Sequence, residues 1–247
     1  MKICLVNPNT TVGMTEKAGL AAKSVVTTGT EVIAVNPDMG PVSIEGFYDE
    51  AFSVPGLIQE IKKHADADAF ILACFDDTGL DAARCCTSKP VIGIGEAAYH
   101  LACLLGVKFA VVTTLSRSIA ALEHNLTRYG LKERCSGVRA SDIPVLDLES
   151  LDVSNADSSP AYLKISSEIE AAISEDKAEV IVLGCAGMAG LPELLSEKFS
   201  VPVIDGVTAA AKLAESLVAL GLNTSKIGAY AEPNPKKYTG IMTPFQP

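Results

Sequence analysis

The chain has 247 residues, a formal net charge of −10, 48% hydrophobic and 20% charged residues. That is enough apolar material for sizeable cores, and an acidic chain without a basic block argues against nucleic acid and anionic membrane as partners. No apolar run reaches the length of a membrane span, and Met1-Lys-Ile-Cys-Leu-Val reads as a strand rather than a leader, so a cytoplasmic protein is expected.

In chain order, Ile3 to Val6 reads as a strand. Asn7-Pro-Asn-Thr-Thr11 forms a turn with capping residues, followed by a helix from about Met14 to Val25. Thr30 to Val35 is a second strand. The loop Asn36 to Gly46 is longer than a plain connection, a length that suits binding. Tyr48 to His64 reads as a helix that Pro55 should break or kink. The apolar run from Ala69 is a buried strand, Gly79 to Cys86 a helix, Val91 to Ile94 a strand and Glu96 to Leu105 a helix. Phe109 to Thr113 is again a strand, and Ser118 to Tyr129 a helix stopped by Gly130. Cys135 to Ala140 and Pro144 to Leu148 look extended, and Asp152 to Pro160 reads as a polar surface loop. A helix over Ala161 to Asp176 leads to a second apolar strand from Glu179. Val203-Ile204 is a strand and Thr208 to Leu220 a helix. The proline-rich tail from Ala231 is expected to be disordered or laid over a neighbouring subunit. Strands alternating with helices imply parallel sheets, helices on both faces and ligands at the carboxyl ends of the strands.

The chain is duplicated. Ala69-Phe-Ile-Leu-Ala-Cys74 and Glu179-Val-Ile-Val-Leu-Gly-Cys185 both end on a cysteine and pass through a short turn to Gly-Leu, 111 residues apart. Pro90-Val-Ile-Gly and Pro202-Val-Ile-Asp follow at matched positions, and Lys2-Ile-Cys-Leu-Val and Lys108-Phe-Ala-Val-Val open the two copies. The expected fold class is therefore α/β. Two similar lobes, each a parallel sheet flanked by helices, are related by a pseudo-twofold, with the active site in the cleft between them. Residues 1–98 with 206–247 form the lobe carrying Cys74, and 99–205 the lobe carrying Cys185.

Seven cysteines at irregular positions, without C-x-x-C and with three scattered histidines, favour free thiols over disulfides or zinc. Cys4, Cys85, Cys86, Cys103 and Cys135 are expected as small core residues. Cys74 and Cys185 stand out because they repeat at the ligand edge of two equivalent strands. Gly93-Ile-Gly-Glu-Ala-Ala98 fits a dinucleotide fingerprint loosely, but it occupies the wrong βα unit and reads better as a tight strand-to-helix turn. Asp76-Asp77 is expected to cap a helix. Arg117 is the one cation near the candidate loops, too little for a diacid clamp. Asn9, Ser43, Thr78, Thr113 and Thr114 offer neutral hydrogen-bonding groups instead. Ile44, Phe47 and Phe75 suggest an apolar side to the site.

Val6-Asn-Pro-Asn-Thr10, Gly40-Pro-Val-Ser-Ile-Glu-Gly46, Asp49-Glu-Ala51, Ala73-Cys-Phe-Asp-Asp-Thr-Gly-Leu80, Val111-Val-Thr-Thr-Leu115 and Leu183-Gly-Cys-Ala-Gly-Met188 together resemble the aspartate/glutamate racemase superfamily, and within it the hydantoin racemases. Amino-acid racemases of that superfamily carry Asn-Thr after the first cysteine and Thr after the second. Here Phe75-Asp76 and Ala186-Gly187 stand there, which argues against a free amino acid. Allantoin racemases share most of the pattern. Arylmalonate decarboxylases lack the first cysteine, and maleate isomerases take a diacid.

The resemblance implies cofactor-independent racemisation of 5-monosubstituted hydantoins by a thiol/thiolate pair, Cys74 and Cys185. The Cys74 thiolate would take the proton from the D form and the Cys185 thiolate from the L form. The substrate-binding set would be Asn9, Ser43, Ile44, Phe75, Thr78, Gly79, Thr113, Thr114, Ala186 and Gly187, with no metal and no cofactor. Oxyanion donors would come from backbone N–H groups such as Thr114 or Gly187, and helix N-termini after each strand would favour the thiolates. A homo-oligomer, tetramer or hexamer, is also implied.

Overall fold

A computed structural model describes residues 1–150 and 159–247. The elements run β1 (Lys2–Val6), α1 (Val12–Val25), β2 (Glu31–Val35), α2 (Phe47–Lys63), β3 (Ala69–Leu72), α3 (Leu80–Cys86), β4 (Val91–Gly93) and α4 (Ile94–Leu105). The second copy runs β5 (Phe109–Thr113), α5 (Ile119–Arg128), β6 (Cys135–Ala140), α6 (Pro160–Ser174), β7 (Val180–Leu183), α7 (Pro192–Phe199), β8 (Val203–Asp205) and α8 (Gly206–Ala219). The strands form two parallel sheets, ordered β2-β1-β3-β4 and β6-β5-β7-β8, so the duplication in sequence becomes a duplication in topology.

Each sheet is buried on both faces, which explains why its inner strands are continuously apolar. Alternation sends Ile3, Leu5 and Ile71 of the first sheet into a core that also receives Val111, Val180 and Val182 of the second. Their neighbours Cys4, Val6, Phe70 and Leu72 face α2 and α3 in a separate outer cluster. Ala110, Val112, Ile181 and Leu183 do the same with α6 and α7. The central core is thus common to both sheets. At its middle α4 and α8 pack together so closely that a Cβ on Gly206 would lie 2.3 Å from the Ile94 carbonyl oxygen.

Three local expectations are corrected. The helix α2 continues through Pro55 without a break. Residues Val145–Ser150 form a 3₁₀ turn where Pro144 to Leu148 was expected to be extended. After α8, Lys226 Nζ donates to the carbonyls of Arg84, Cys85 and Thr87 at 2.9–3.1 Å, capping the end of α3. Beyond it Tyr238, Met242 and Phe245 flank a groove against α2 and α3. Of the five cysteines expected in the core, only Cys4 is fully buried, and the other four are half-buried at its margins. The loop expected over Asp152 to Pro160 lies mostly outside the described residues, and Pro160 itself opens α6. The helix α7, which composition did not single out, stands where the duplication puts the counterpart of α3.

Candidate active site

Both cysteines are placed by the same local construction. The partner registers Val6 with Leu72 and Val112 with Leu183 end the strands at equivalent levels. One further backbone bond then ties each chain to its neighbour, Ala73 N–H to the Val6 carbonyl at 2.9 Å and Gly184 N–H to the Val112 carbonyl at 2.8 Å. The next residue is the cysteine, followed by a tight turn in which the Asp77 and Met188 N–H groups reach the Cys74 and Cys185 carbonyls, each at 3.0 Å. Gly184 is required here by close approach, since its Cβ would meet the Thr113 Cβ at 2.9 Å. Thr113 Oγ1 donates to the Gly184 carbonyl at 3.0 Å, which locks the two strand ends together.

The two turns open onto one narrow cleft, with Cys74 and Cys185 both in its wall. Of the other residues expected there, Asn9, Ile44, Phe75, Thr113, Thr114 and Ala186 line it. Thr78 stands one step behind, its hydroxyl 3.6 Å from the Cys74 sulfur, and the Gly187 N–H is turned to the Cys185 sulfur. Three expected residues stand away from the cleft lining. Ser43 is turned to the Glu45 carboxylate at 3.0 Å rather than into the cleft. Gly79, left-handed at φ +79°, opens α3 against Leu57 and Val54. Phe47 is exposed and stacks on His124. The ring of Phe75 meets the buried Tyr99 edge-on in the core.

Six lining residues were missed by sequence reasoning: Met14, Ala73, Asp76, Ser118, Val145 and Gly184. Met14 sits in the first turn of α1, just past Asn9, and Val145 was assigned to a strand. The adjacent aspartates divide their roles. Asp77 takes a left-handed backbone conformation, φ 51°, which the short polar side chain tolerates. Its carboxylate crosses to the next βα unit and accepts from Gly95 N–H at 3.0 Å, Glu96 N–H at 2.8 Å and the Tyr129 hydroxyl at 2.7 Å. It therefore caps α4, not the α3 that follows it. The anion seat at the start of α4 is filled by the protein's own carboxylate, and a Cβ on Gly93 would lie 2.1 Å from it. No room is left for a phosphate there, in agreement with reading Gly93-Ile-Gly as a tight turn. Asp76, by contrast, faces the cleft.

Burial sets the electrostatics. It pushes the Cys74 thiol far up, and the charges of Asp76 and Asp77 push it further, while the Thr78 hydroxyl and the Asp76 N–H recover only part. Burial pushes Cys185 up to about 11, with the Gly187 N–H opposing. The helix N-termini expected to favour the thiolates are outweighed: α3 starts six residues past Cys74, and only a 3₁₀ turn, Ala186–Met188, follows Cys185. Burial, Glu50 and Asp77 together push Asp76 up to about 7. In Asn9 the amide oxygen is taken by Asn7 Nδ2 at 2.8 Å and Thr11 N–H at 2.9 Å. Among the described residues its NH₂ meets only the Met14 sulfur, at 3.8 Å, and is left as a donor toward the cleft.

Paired α/β lobes with one cysteine from each in a shared cleft define the racemase class of two-lobed isomerases. The sequence matches the profile of the Asp/Glu/Hydantoin racemase family over residues 3–214. The chain is 47% identical to hydantoin racemase from Rhizobium meliloti, covering 97% of this chain and 98% of that one. It is 45% identical to hydantoin racemase from Pseudomonas sp. (strain NS671), covering 99% and 97%. Its structure superposes on allantoin racemase from Klebsiella pneumoniae with a TM-score of 0.93 at 43% identity, covering 100% and 99%. The chain belongs to the Asp/Glu/hydantoin racemase family and is an isomerase.

Proposed function

We propose that the protein racemises 5-monosubstituted hydantoins without a cofactor, with Cys74 and Cys185 working on opposite faces of C5. One observation carries the reading: each repeat contributes one cysteine, at the same point of the same turn, to the wall of one cleft. Inversion of a C–H centre needs a base on one face and an acid on the other, and two equivalent thiols meet that need. A hydantoin C5–H lies alpha to a ring carbonyl. When one thiolate removes that proton, the electron pair passes to the C4 carbonyl as an enolate. The opposite thiol then returns a proton to C5 and becomes the thiolate. The enolate oxygen requires donors, and the Asn9 NH₂ is suited to the task because its oxygen is already committed. Burial raises both thiols, Cys185 less than Cys74, so the Cys185 thiolate is the less costly of the two to form.

Hydantoin racemase relatives support this substrate class. The similarity to allantoin racemase structures supports a second reading, in which the 5-substituent is a ureido group, allantoin being itself a hydantoin. The lobes divide as 1–98 with 206–247 and 99–205, supported by α8 packing on β3 and β4 and α4 on β7 and β8. The functional protein is a homo-oligomer of the cytoplasm. Among the described residues no helix is long and apolar enough to cross a membrane. The test is polarimetry of L-5-benzylhydantoin and of (S)-allantoin side by side. Rotation of the benzyl compound should decay to zero without change of mass. Decay with allantoin alone would move the assignment to the second reading, and decay with neither would sink both.

A further inference from the structure

The Asp76 carboxyl is the one charged side chain in the cleft wall among the described residues, and the racemisation scheme gives it no task. Its backbone is fixed on both sides. The carbonyl accepts from Asn125 Nδ2 at 2.6 Å, and the N–H is turned to the Cys74 sulfur. The carboxyl group itself accepts no hydrogen bond among the described residues. The lining holds no lysine, arginine or histidine that could neutralise it. The charged or titratable groups that bear on it are acidic or neutral: Asp77 from its own turn, Glu50 from α2, Cys74 and Cys185 across the cleft, and Tyr99 from α4. Glu50 also keeps one oxygen, Oε1, buried without a partner. The Asp76 carboxyl thus stands in the cleft wall with its acceptor oxygens uncommitted, and a ligand's N–H is the group that suits them.

The repeat sharpens the point. Asp76 and Gly187 occupy equivalent places, two residues past the two cysteines, and both direct their N–H to the sulfur. The scheme needs only the N–H, which glycine supplies equally well. The carboxyl is an addition on one side alone.

Resting on the substrate class proposed above, we infer that Asp76 is the specificity-determining residue of the cleft, its carboxylate accepting the ring N–H next to the reacting carbon of a cyclic ureide. The Asp76 N–H is turned to the sulfur that takes the C5 proton, which sets its side chain beside the atoms bonded to C5, and N1–H is the donor among them. The same charge repels any ligand presenting a carboxylate. It therefore admits the closed ring and turns away the ring-opened N-carbamoyl amino acid, which carries nearly the same atoms and a negative charge.

The experiment measures binding by calorimetry at pH 8, above the value near 7 to which Asp76 is pushed, on the full chain, wild type and Asp76→Asn. One ligand is 5-benzylhydantoin. The other is 3-benzylsuccinimide, in which CH₂ replaces N1–H and the imide N–H stays un-ionised. Wild type should prefer the hydantoin by about tenfold, the worth of one hydrogen bond to a charged acceptor. In Asp76→Asn the acceptor is a neutral amide oxygen, and the preference should fall below about threefold. N-carbamoylphenylalanine should bind Asp76→Asn roughly tenfold more tightly than wild type. An unchanged preference between the two rings overturns the N–H assignment, because a merely structural Asp76 would weaken both ligands alike. An unchanged affinity for N-carbamoylphenylalanine overturns the charge exclusion. Failure of wild type to bind or racemise 5-benzylhydantoin is a separate outcome. It removes the substrate class and the inference with it.

Discussion

The Cys74 and Cys185 turns share a backbone and differ in their electrostatics. Strand end, tie to the neighbouring strand, cysteine, N–H to sulfur and closing turn all repeat. Around Cys74 the turn adds Asp76, Asp77 and the Thr78 hydroxyl, whereas around Cys185 it adds Ala186, Gly187 and Met188. The backbone symmetry serves inversion, since both faces of a carbon must be reached alike. The side-chain asymmetry separates the two thiols in acidity and gives the cleft one charged wall. A duplicated fold can thus keep the geometry its chemistry needs while the two copies diverge in what they bind.

The largest effect should come from removing either thiol. Cys74→Ser and Cys185→Ser should each lose racemisation by roughly 10²–10⁴-fold, because a hydroxyl is a poor base at neutral pH. In deuterated water the surviving cysteine should still exchange C5–H with retention, on one enantiomer only, after subtraction of spontaneous exchange. D exchange is expected in Cys185→Ser and L exchange in Cys74→Ser, read by NMR of resolved substrate. Wild-type racemisation in either variant ends the two-thiol scheme, and exchange of the same enantiomer in both ends the opposed geometry.

A smaller effect separates the thiols in the intact protein. Burial pushes Cys185 up to about 11 and Cys74 further, so iodoacetamide at pH 8 should label Cys185 first. Its rate should rise about tenfold per pH unit until that pKa is approached. Peptide mass spectrometry gives the order of labelling. Asp76→Asn should speed labelling of Cys74 severalfold and leave Cys185 nearly unchanged. Faster labelling of Cys74 in the wild type would show that the acidic turn does not set the difference.

The smallest effect is on stability. Folding raises Asp76 from 3.8 to about 7, so the folded state binds its proton more tightly than the unfolded chain does. The resulting stabilisation is complete below about pH 4 and is lost as pH rises through about 7. Asparagine does not titrate. The Tm of Asp76→Asn relative to wild type should therefore climb by a few degrees between pH 4 and pH 7 and level off above. Glu215 acts in the opposite sense and another window. Its carboxylate, held by Lys212, Thr30 and the Thr27 N–H, is lowered to about 2, so its contribution is lost as pH falls from about 4.5 to 2. A flat difference between the Asp76 proteins across pH 4 to 7 would place that carboxyl in ordinary solvent.

The sequence by itself determined the alternation of strands and helices, the duplication, and the two cysteines at equivalent strand ends. These are properties of local periodicity and of spacing along the chain, and parallel sheets carry them to one edge whatever surrounds them. It also held the clue to α7, in the place of α3 one repeat earlier. Tertiary structure decided what neighbours in sequence do when their environments differ. Asp76 and Asp77 are the same residue twice, yet the left-handed turn at Asp77 sends one carboxylate to the start of α4 and leaves the other in the cleft. Met14 and Val145 reach the cleft only because α1 and the turn after β6 converge there. The shared core, with α4 and α8 crossing at Ile94 and Gly206, joins side chains separated by more than 100 residues, and no local pattern encodes such a pairing. The acidity of the thiols follows from the same cause. A cysteine after an apolar strand reads alike in both copies, and only the depth of burial and the carboxyls folded around it set how readily it gives up its proton.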